Sequence, residues 1–348
     1  MTIVAERYEH VIGVDTHART HTYAILDAGT GRTADSATFP TSPAGLGRAV
    51  AWIQRRTAGN VLVAIEGTGS YGANLARTLQ SEGIAVCDVR PPRRASRAGR
   101  GKSDEIDAVA AARTALASEA EALAAPRADG LRSALRVLLV ARRAIDVRRT
   151  SDRNMLTALL RSFDLGVDAR KPLTDAQVRT VAAWRARPSD DTAMRTIREE
   201  GRRLAASVID LTSQMEDNHT ALGKHVDELA PGLLDVHGVG PVSAAIVLTA
   251  YSHKGRVRSE AAFAALAGAA PLPASSGNTV RHRLNRGGDR QLNRALEVIA
   301  RVRMSNHAET RAYVERRTLE GKSRREIRRC LKRYIARQLF RCLNRILT

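Results

Sequence analysis

The chain has 348 residues, a formal net charge of +20 at pH 7 and three cysteines. This length allows two or three domains, and the spacing of Cys87, Cys330 and Cys342 fits neither a zinc site nor a disulfide framework. No apolar run is long enough to span a membrane, so we expect a soluble, intracellular protein, and the excess of basic residues favours nucleic acid as its partner.

The first ninety residues predict alternating strands and helices. Apolar runs predict strands at 10–15, 20–27, 34–39, 60–66 and 84–89, and helical spacing predicts helices at 43–56 and 71–81. Three adjacent strands followed by alternating helices and strands indicate an α/β domain with a mixed sheet. This pattern suits a ribonuclease-H-like arrangement, although periodicity alone does not separate that fold from other mixed sheets.

Four acidic residues stand at positions that this fold could bring together. Asp15 and Glu66 each end an apolar strand, and Asp104 and Asp107 lie three apart at the start of a helix that Ser103 should cap. Each is ordinary alone, since acids suit the first turn of any helix. Together they need cations, and hard oxygen ligands select Mg²⁺ or Mn²⁺. We therefore predict a two-ion site of the kind that supports phosphodiester cleavage.

The segment before this helix, 90–102, contains six basic residues and no acid. Such a run is usually a solvated loop, but next to the acidic helix it is also well placed to hold a phosphate backbone. The residues that we predict to contact nucleic acid here are Arg93, Arg94, Arg97, Arg100 and Lys102.

The middle of the chain, 129–230, is helical in character. It contains an apolar seam close to a heptad repeat, in which Asn218 would fix the register. The pattern allows two readings, an ordinary long helix packed in its own domain and a coiled-coil arm used for dimerisation. The seam consists of Leu204, Val208, Leu211, Met215, Asn218, Leu222 and Leu229.

The last third combines a glycine turn with a strongly basic tail. Residues 233–248 predict a helix-hairpin-helix in which Gly238 and Gly240 expose backbone N–H groups to phosphate, and a purely structural corner between helices is the alternative. From Arg281 to the end there are twenty Lys or Arg against six Asp or Glu. We expect an apolar side at Ile327, Leu331, Ile335 and Leu339, and phosphate contacts from Arg281, Arg283, Arg286 and Arg290.

Three motifs carry a family resemblance. Asp15 is followed by His21 six residues on, Glu66 to Tyr71 reads E-x-T-G-x-Y, and Lys102 to Ala108 reads K-S-D-x-x-D-A. With these motifs the chain resembles the DEDD insertion-sequence transposases of the IS110 family, whose N-terminal domain is similar to the Holliday-junction resolvase RuvC. Ala18 stands where the family often has a lysine, which puts a backbone contact at that position in doubt.

The resemblance implies three parts, namely a RuvC-like DEDD catalytic domain (1–128), a coiled-coil dimerisation region (129–230) and a C-terminal transposase domain (231–348). It implies that Ser276, in the loop 271–278, is the nucleophile, with Ser275 second. The implied protein is a bacterial, cytoplasmic and nucleoid-associated DNA transposase, a homodimer or homotetramer of the bridge-RNA-guided type. It would cut and rejoin DNA with Mg²⁺ through a covalent serine intermediate.

Two other functions remain open. A RuvC-like, structure-selective endonuclease would use the same four acids with metal-activated water and give no role to the serine loop. A non-catalytic nucleic-acid-binding protein would need neither the four acids nor the serine.

Overall fold

The computed structural model describes residues 2–89, 103–127, 129–274 and 282–347. The chain divides into two compact units, 1–127 and 128–348, and each unit has its own apolar core. The three-part division at 128 and 230 stays a prediction.

The first unit is built on a five-stranded sheet with the strand order β3-β2-β1-β4-β5. β1 pairs antiparallel with β2 and parallel with β4, β2 pairs antiparallel with β3, and β4 pairs parallel with β5. This arrangement confirms the predicted α/β class and mixed sheet. The strands are β1 (His10–Thr16), β2 (Thr20–Asp27), β3 (Thr33–Pro40), β4 (Val61–Glu66) and β5 (Ala85–Val89).

Helices cover both faces of this sheet, because the central strands are apolar on both sides. On one face, Ile12 and Val14 of β1 pack in a core with residues of α2 and α3. On the other face, Val11 lies in a second core with four alanines of α4. The helices of this unit are α1 (Val4–Arg7), α2 (Pro43–Arg56), α3 (Ala73–Ser81) and α4 (Asp104–Leu116).

The start of α4 agrees with the sequence. Ser103 is its N-cap, and its Oγ accepts a hydrogen bond from the backbone N–H of Ile106 at 3.3 Å. Glu105 also ties the first turn to the sheet, because its Oε1 accepts from Ser36 Oγ at 2.7 Å. The first turn of α4 is therefore held at both its backbone and a side chain.

The second unit is mostly helical, with one short antiparallel pair of strands, β6 (Leu272–Pro273) and β7 (His282–Arg283). Its helices are α5 (Leu131–Ser162), α6 (Asp175–Ala182), α7 (Thr192–Leu229), α8 (Pro241–Tyr251), α9 (Glu260–Leu266), α10 (Arg290–Asn306), α11 (Ala308–Leu319) and α12 (Arg324–Ile346). One apolar core joins Leu135 of α5 and Leu222 of α7 to helices α8, α9, α10 and α12, so this core is continuous across residue 230.

The apolar seam of α7 packs against α5 of the same chain, whereas the coiled-coil prediction gave it a second copy as its partner. α5 and α7 run antiparallel, because Arg142 donates to the carbonyl of Met215 at 3.0 Å and Ser207 donates to Asp152 at 2.6 Å. Leu211 is 1% exposed within the single chain. Asn218 does fix the register, but against α5, since its Nδ2 donates to the carbonyl of Leu138 at 3.0 Å. The seam is thus buried inside the chain rather than free to face a second copy.

The predicted helix-hairpin-helix also differs from the structure. Residues 231–240 form successive turns, so no helix precedes the glycines within the motif itself. Gly232 and Gly238 have φ values of +80° and +82°, a left-handed conformation that interrupts a right-handed helix. The second helix of the motif is present as α8, with Gly240 at its N-cap.

The amphipathic character predicted for the C-terminal helix is confirmed. Ile327, Leu331, Ile335 and Leu339 of α12 are at most 7% exposed, on the side that packs into the core. Among the helices that the structure describes, none combines the length and the apolar character needed to cross a membrane.

Candidate metal and catalytic site

The carboxyl ends of β1 and β4 bring two of the predicted acids to one edge of the sheet. Val14 pairs with Ile65 in the parallel register, so Asp15 and Glu66 follow side by side. The two strand ends are also linked directly, because Thr16 Oγ1 donates to the carbonyl of Glu66 at 2.8 Å. This edge is where parallel strands of an open α/β sheet usually carry functional groups.

α4 brings Asp104 to the same edge, and a histidine lies between the two aspartates. His17 Nδ1 is 3.6 Å from Asp15 Oδ2 and 3.9 Å from Asp104 Oδ2. One donor atom from each of the three residues lies within 4.8 Å of the others. Asp15 is the most protected of them, with a side chain 14% exposed, while His17 and Asp104 are 52% and 56% exposed.

His17 was not among the residues predicted from the sequence. The available signal was its spacing, since residues two apart in an extended chain point to the same side. His17 follows β1 directly and therefore faces the way Asp15 does. The family motif contains His21 instead, which lies six residues after Asp15.

The other two predicted acids, both among the described residues, lie outside this three-residue group. Glu66 ends β4 beside Asp15, and Asp107 lies three residues after Asp104 on α4. Both are partly buried. They surround the group without sharing its short donor distances. The four-acid site of the sequence prediction is thus represented by two acids in close contact and two nearby in the fold.

The turn after β4 is fixed by the residues of the E-x-T-G-x-Y motif. Gly67 has a φ of +78°, which favours glycine. Thr68 is buried, and its Oγ1 donates to Asp88 Oδ1 of β5 at 2.8 Å. Tyr71 is 61% exposed. The motif therefore anchors the turn to the sheet through Thr68 and leaves the ring of Tyr71 accessible.

His21 of the family motif is a buried residue of the sheet and is absent from the three-residue donor group. Its side chain is 1% exposed, and its Nδ1 has no hydrogen-bond partner among the described residues. Burial lowers the pKa of His21 below the ordinary value of 6.5, and the nearby His17 adds a smaller lowering effect. Burial therefore favours the neutral form of His21 in the folded protein.

The donor set of Asp15, His17 and Asp104 fits a divalent cation. Carboxylate oxygens are the ligands that Mg²⁺ and Mn²⁺ prefer, and an imidazole nitrogen suits first-row transition ions better than it suits Mg²⁺. The three donors come from a strand, the turn after it and a helix, and all of them can reach a common point.

Comparison with known protein families gives two matches. A family profile described as transposase, of the DEDD type of IS110, matches residues 12–164. A second, described as transposase of the IS116/IS110/IS902 family, matches residues 230–315. By both matches, the chain is a transposase of the IS110 family. A comparison with curated proteins finds no significant match.

Several residues predicted for this transposase lie outside the described part of the chain. They include the proposed nucleophile and the basic loop before α4, namely Ser275, Ser276, Arg281, Arg93, Arg94, Arg97, Arg100 and Lys102. Arg283, Arg286 and Arg290 are described, and all three are exposed around the start of α10.

The two predicted phosphate-binding glycines of the transposase differ in their surroundings. A β-carbon on Gly238 would lie 3.2 Å from the carbonyl oxygen of Ile299, so Gly238 serves close packing on α10. A β-carbon on Gly240 would meet nothing within 4 Å. Of the two, only Gly240 keeps open space beside the N-terminus of α8.

Proposed function

We propose that this transposase cuts and rejoins DNA strands at the site formed by Asp15, His17 and Asp104, with Glu66 and Asp107 completing its acidic surroundings. The observation that carries this proposal is the short distance of His17 Nδ1 to both aspartates, 3.6 Å and 3.9 Å. Three donors would otherwise be an ordinary surface cluster, but Asp15 and Asp104 belong to the motifs that carry the family resemblance, and all three residues lie within or beside helices and strands of the matched range 12–164.

The residues of the site would hold divalent cations, Mg²⁺ or Mn²⁺, through their carboxylates and the His17 imidazole. A bound cation supplies a Lewis acid for the scissile phosphate and lowers the pKa of a coordinated hydroxyl. Asp15, the least exposed of the three, would fix the position of the site on the sheet. Asp104 is attached to a capped helix and would set its distance from the strand.

We propose Ser276 as the nucleophile, on the family pattern of a serine before a glycine. The serine oxygen would bond to phosphorus as the phosphorus–oxygen bond of the DNA strand breaks. The serine proton would pass to solvent water, and the departing deoxyribose oxygen would take up a proton from water and leave as a free hydroxyl end. The phosphodiester is thereby conserved as a phosphoserine link, so rejoining needs no ATP. A serine hydroxyl is a weak nucleophile unless a metal ion or a base helps to remove its proton. Cleavage would therefore depend on the metal site.

Cleavage of an end-containing DNA substrate tests both parts of this proposal. Asp104→Asn should abolish cleavage while leaving DNA binding intact, whereas Glu82→Gln, which changes an exposed carboxylate just after α3, should cleave normally. Denatured reactions of the unmodified transposase should contain protein joined to a DNA end, and Ser276→Ala should lose this adduct. Nicked DNA without any adduct would instead favour a resolvase-like hydrolysis by water.

A structured guide RNA is the second partner that we propose. The support is charge, because the C-terminal segment from Arg281 carries twenty basic residues against six acidic ones. Each phosphate contact adds about 0.9 to the log–log salt slope on duplexes and about 0.7 on single strands. A steep salt dependence and RNA that survives purification at moderate salt would support this partner, and a flat salt response would count against it.

We propose that the transposase forms a homodimer or homotetramer through α5 rather than through the α7 seam. Val137, Val140 and Val147 are 67%, 65% and 62% exposed on α5. With the exposed Ala144 they follow a three-four-three spacing, which is the heptad pattern of a coiled-coil seam. Because the seam of α7 is already covered by α5, this outer stripe of α5 is the surface that we propose for contact with a second copy.

A further inference from the structure

A basic cleft in the second unit is lined by α10, α12 and the segments on either side of β6 and β7. Its volume is about 1100 Å³, and its lining includes Arg283, Arg286 and Arg290 together with Arg329, Arg333 and Arg337 of α12. Three of the arginines predicted from the sequence to meet phosphate therefore share one cleft with three arginines of α12.

The lining of the cleft is strongly cationic. Among the described residues, the lining contains nine Lys or Arg side chains and a single carboxylate, that of Glu326. Glu326 is occupied by the start of α12, because its Oε2 accepts from the backbone N–H and the Oγ of Ser323 at 2.9 Å and 2.7 Å. These bonds hold the pKa of Glu326 below its ordinary value, with a smaller contribution from Lys322 and Arg329. The cleft thus has a large positive excess.

Some of these cations are held in place and others are free. Glu260 lies next to the cleft and accepts from Arg337 Nε at 3.0 Å, and the same Oε1 is 3.9 Å from Arg333. By contrast, the side chains of Arg286 and Arg290 form no ion pair or hydrogen bond within the described residues, and Arg329 has only a weak electrostatic interaction with Glu326. Fixed and free guanidinium groups side by side suit a ligand with several phosphates.

A tyrosine in the same lining narrows the class of ligand. Tyr334 is 53% exposed, and its ring packs edge-on against Tyr313 at a centroid distance of 5.9 Å. Aromatic residues make up only 3% of this chain. Bases stack on exposed aromatic rings in sites for single-stranded nucleic acid, where arginines follow the backbone. In a duplex the faces of the bases are already stacked on each other and are not free for such a contact.

We propose that this cleft holds a single-stranded segment of nucleic acid, with its phosphates on the arginines and one base on Tyr334. This inference rests on the proposed function.

Fluorescence anisotropy of the full chain in EDTA tests the site without requiring cleavage. The probes are a labelled single-stranded DNA, the RNA of the same sequence, and the DNA duplex. Tyr334→Leu should weaken binding of the single strand by roughly 5- to 150-fold, the range expected for one stacked base. Tyr334→Phe keeps the ring and should bind like the unmodified protein. Circular dichroism melting confirms that both variants are folded.

The arginines are tested by the salt dependence of the same binding. Arg286→Ala and Arg329→Ala should each lower the log–log slope for the single strand by about 0.7. Arg345→Ala, an exposed arginine of α12 outside the cleft, should leave the slope unchanged. Tighter binding of the DNA or of the RNA strand supports the cleft and identifies the source of the bound segment.

Three results would overturn the proposal. Unchanged slopes in Arg286→Ala and Arg329→Ala would remove the phosphate contacts. Equal affinities of Tyr334→Leu and Tyr334→Phe would remove the stacking contact. An equal loss on the duplex would remove the single-strand preference. Because these measurements are made without metal, they can fail while metal-dependent cleavage stands, and they can succeed where the cleavage proposal fails.

Discussion

The carbonyl oxygen of Ala108 lies 1.8 Å from the point where a β-carbon on Gly13 would be. The backbone nitrogen of Ala112 is only 2.5 Å from the same point. α4 therefore rests on β1 at backbone distance, which only glycine on the strand allows. Asp104 precedes Ala108 by one turn, and Asp15 follows Gly13 by two residues. This contact sets the separation of the two aspartates.

We expect Gly13→Ala to destabilise the protein and to weaken its metal binding. Both neighbouring atoms belong to the helix backbone, so α4 must move as a whole, and overpacking of this kind typically costs about 1–3 kcal/mol or more. Chemical denaturation and Mn²⁺ titration measure the two effects. Gly47→Ala is the matched control, because a β-carbon on this exposed helical glycine meets nothing within 4 Å. It should raise stability by up to about 1 kcal/mol. Similar stabilities of the two variants would contradict this account of the helix–strand contact.

The features of the fold that depend on neighbouring residues were predictable from the sequence. Apolar runs located the five strands to within two residues, and Ser103 located the start of α4, because periodicity and capping are local effects. The acids at the strand ends followed from the same pattern. The close approach of α4 to Gly13 was not predictable, since it depends on contacts between residues distant in the sequence.

The errors have the same physical origin. The seam around Leu211 and Asn218 identified correctly which face of α7 is apolar, but a heptad pattern does not say which helix covers that face. In the structure it is α5 of the same chain. At 233–236 the apolar residues suggested a helix, whereas left-handed Gly232 and Gly238 make this segment a series of turns.

We expect the stability of the first unit to fall as the pH falls below about 6.5, the ordinary pKa of histidine. Burial lowers the pKa of His21 in the folded state, so the unfolded chain binds a proton there first. Stability from this residue is complete above its unfolded pKa and is lost as the pH decreases towards its folded pKa. Urea denaturation across this range measures the effect.

His21→Gln should flatten this pH dependence, because it removes the group that titrates differently in the two states. His219→Gln, on the exposed side of α7, should keep the dependence of the unmodified protein. A pH profile that is the same for the unmodified protein and His21→Gln would show that His21 does not control it.

If the transposase assembles through α5, substitutions on the exposed face of α5 should change its oligomeric state, and a substitution on the buried face of α7 should change its stability. Val140→Glu with Val147→Glu should produce a monomer whose melting temperature is nearly unchanged, because exposed substitutions usually alter stability by less than about 0.5 kcal/mol each. Leu211→Glu should unfold the second unit, since it buries a charge at a residue 1% exposed. Sedimentation velocity with thermal melting distinguishes these outcomes. A monomeric unmodified protein in the presence of nucleic acid would exclude the α5 interface.

The metal site is tested most directly by Mn²⁺ binding to the full chain, followed through the electron paramagnetic resonance signal of free Mn²⁺. We expect Asp15→Asn and Asp104→Asn each to weaken Mn²⁺ binding at least about tenfold. Loss of an outer-shell partner already lowers metal affinity by about 10- to 100-fold, and loss of a ligand itself should lower it by no less. His17→Ala should weaken Mn²⁺ binding more than Mg²⁺ binding, measured by competition, because imidazole favours the transition ion. Glu82→Gln, which changes an exposed carboxylate just after α3, should bind like the unmodified protein. Unmodified Mn²⁺ affinity in both Asp15→Asn and Asp104→Asn would contradict the assignment of this cluster as the metal site.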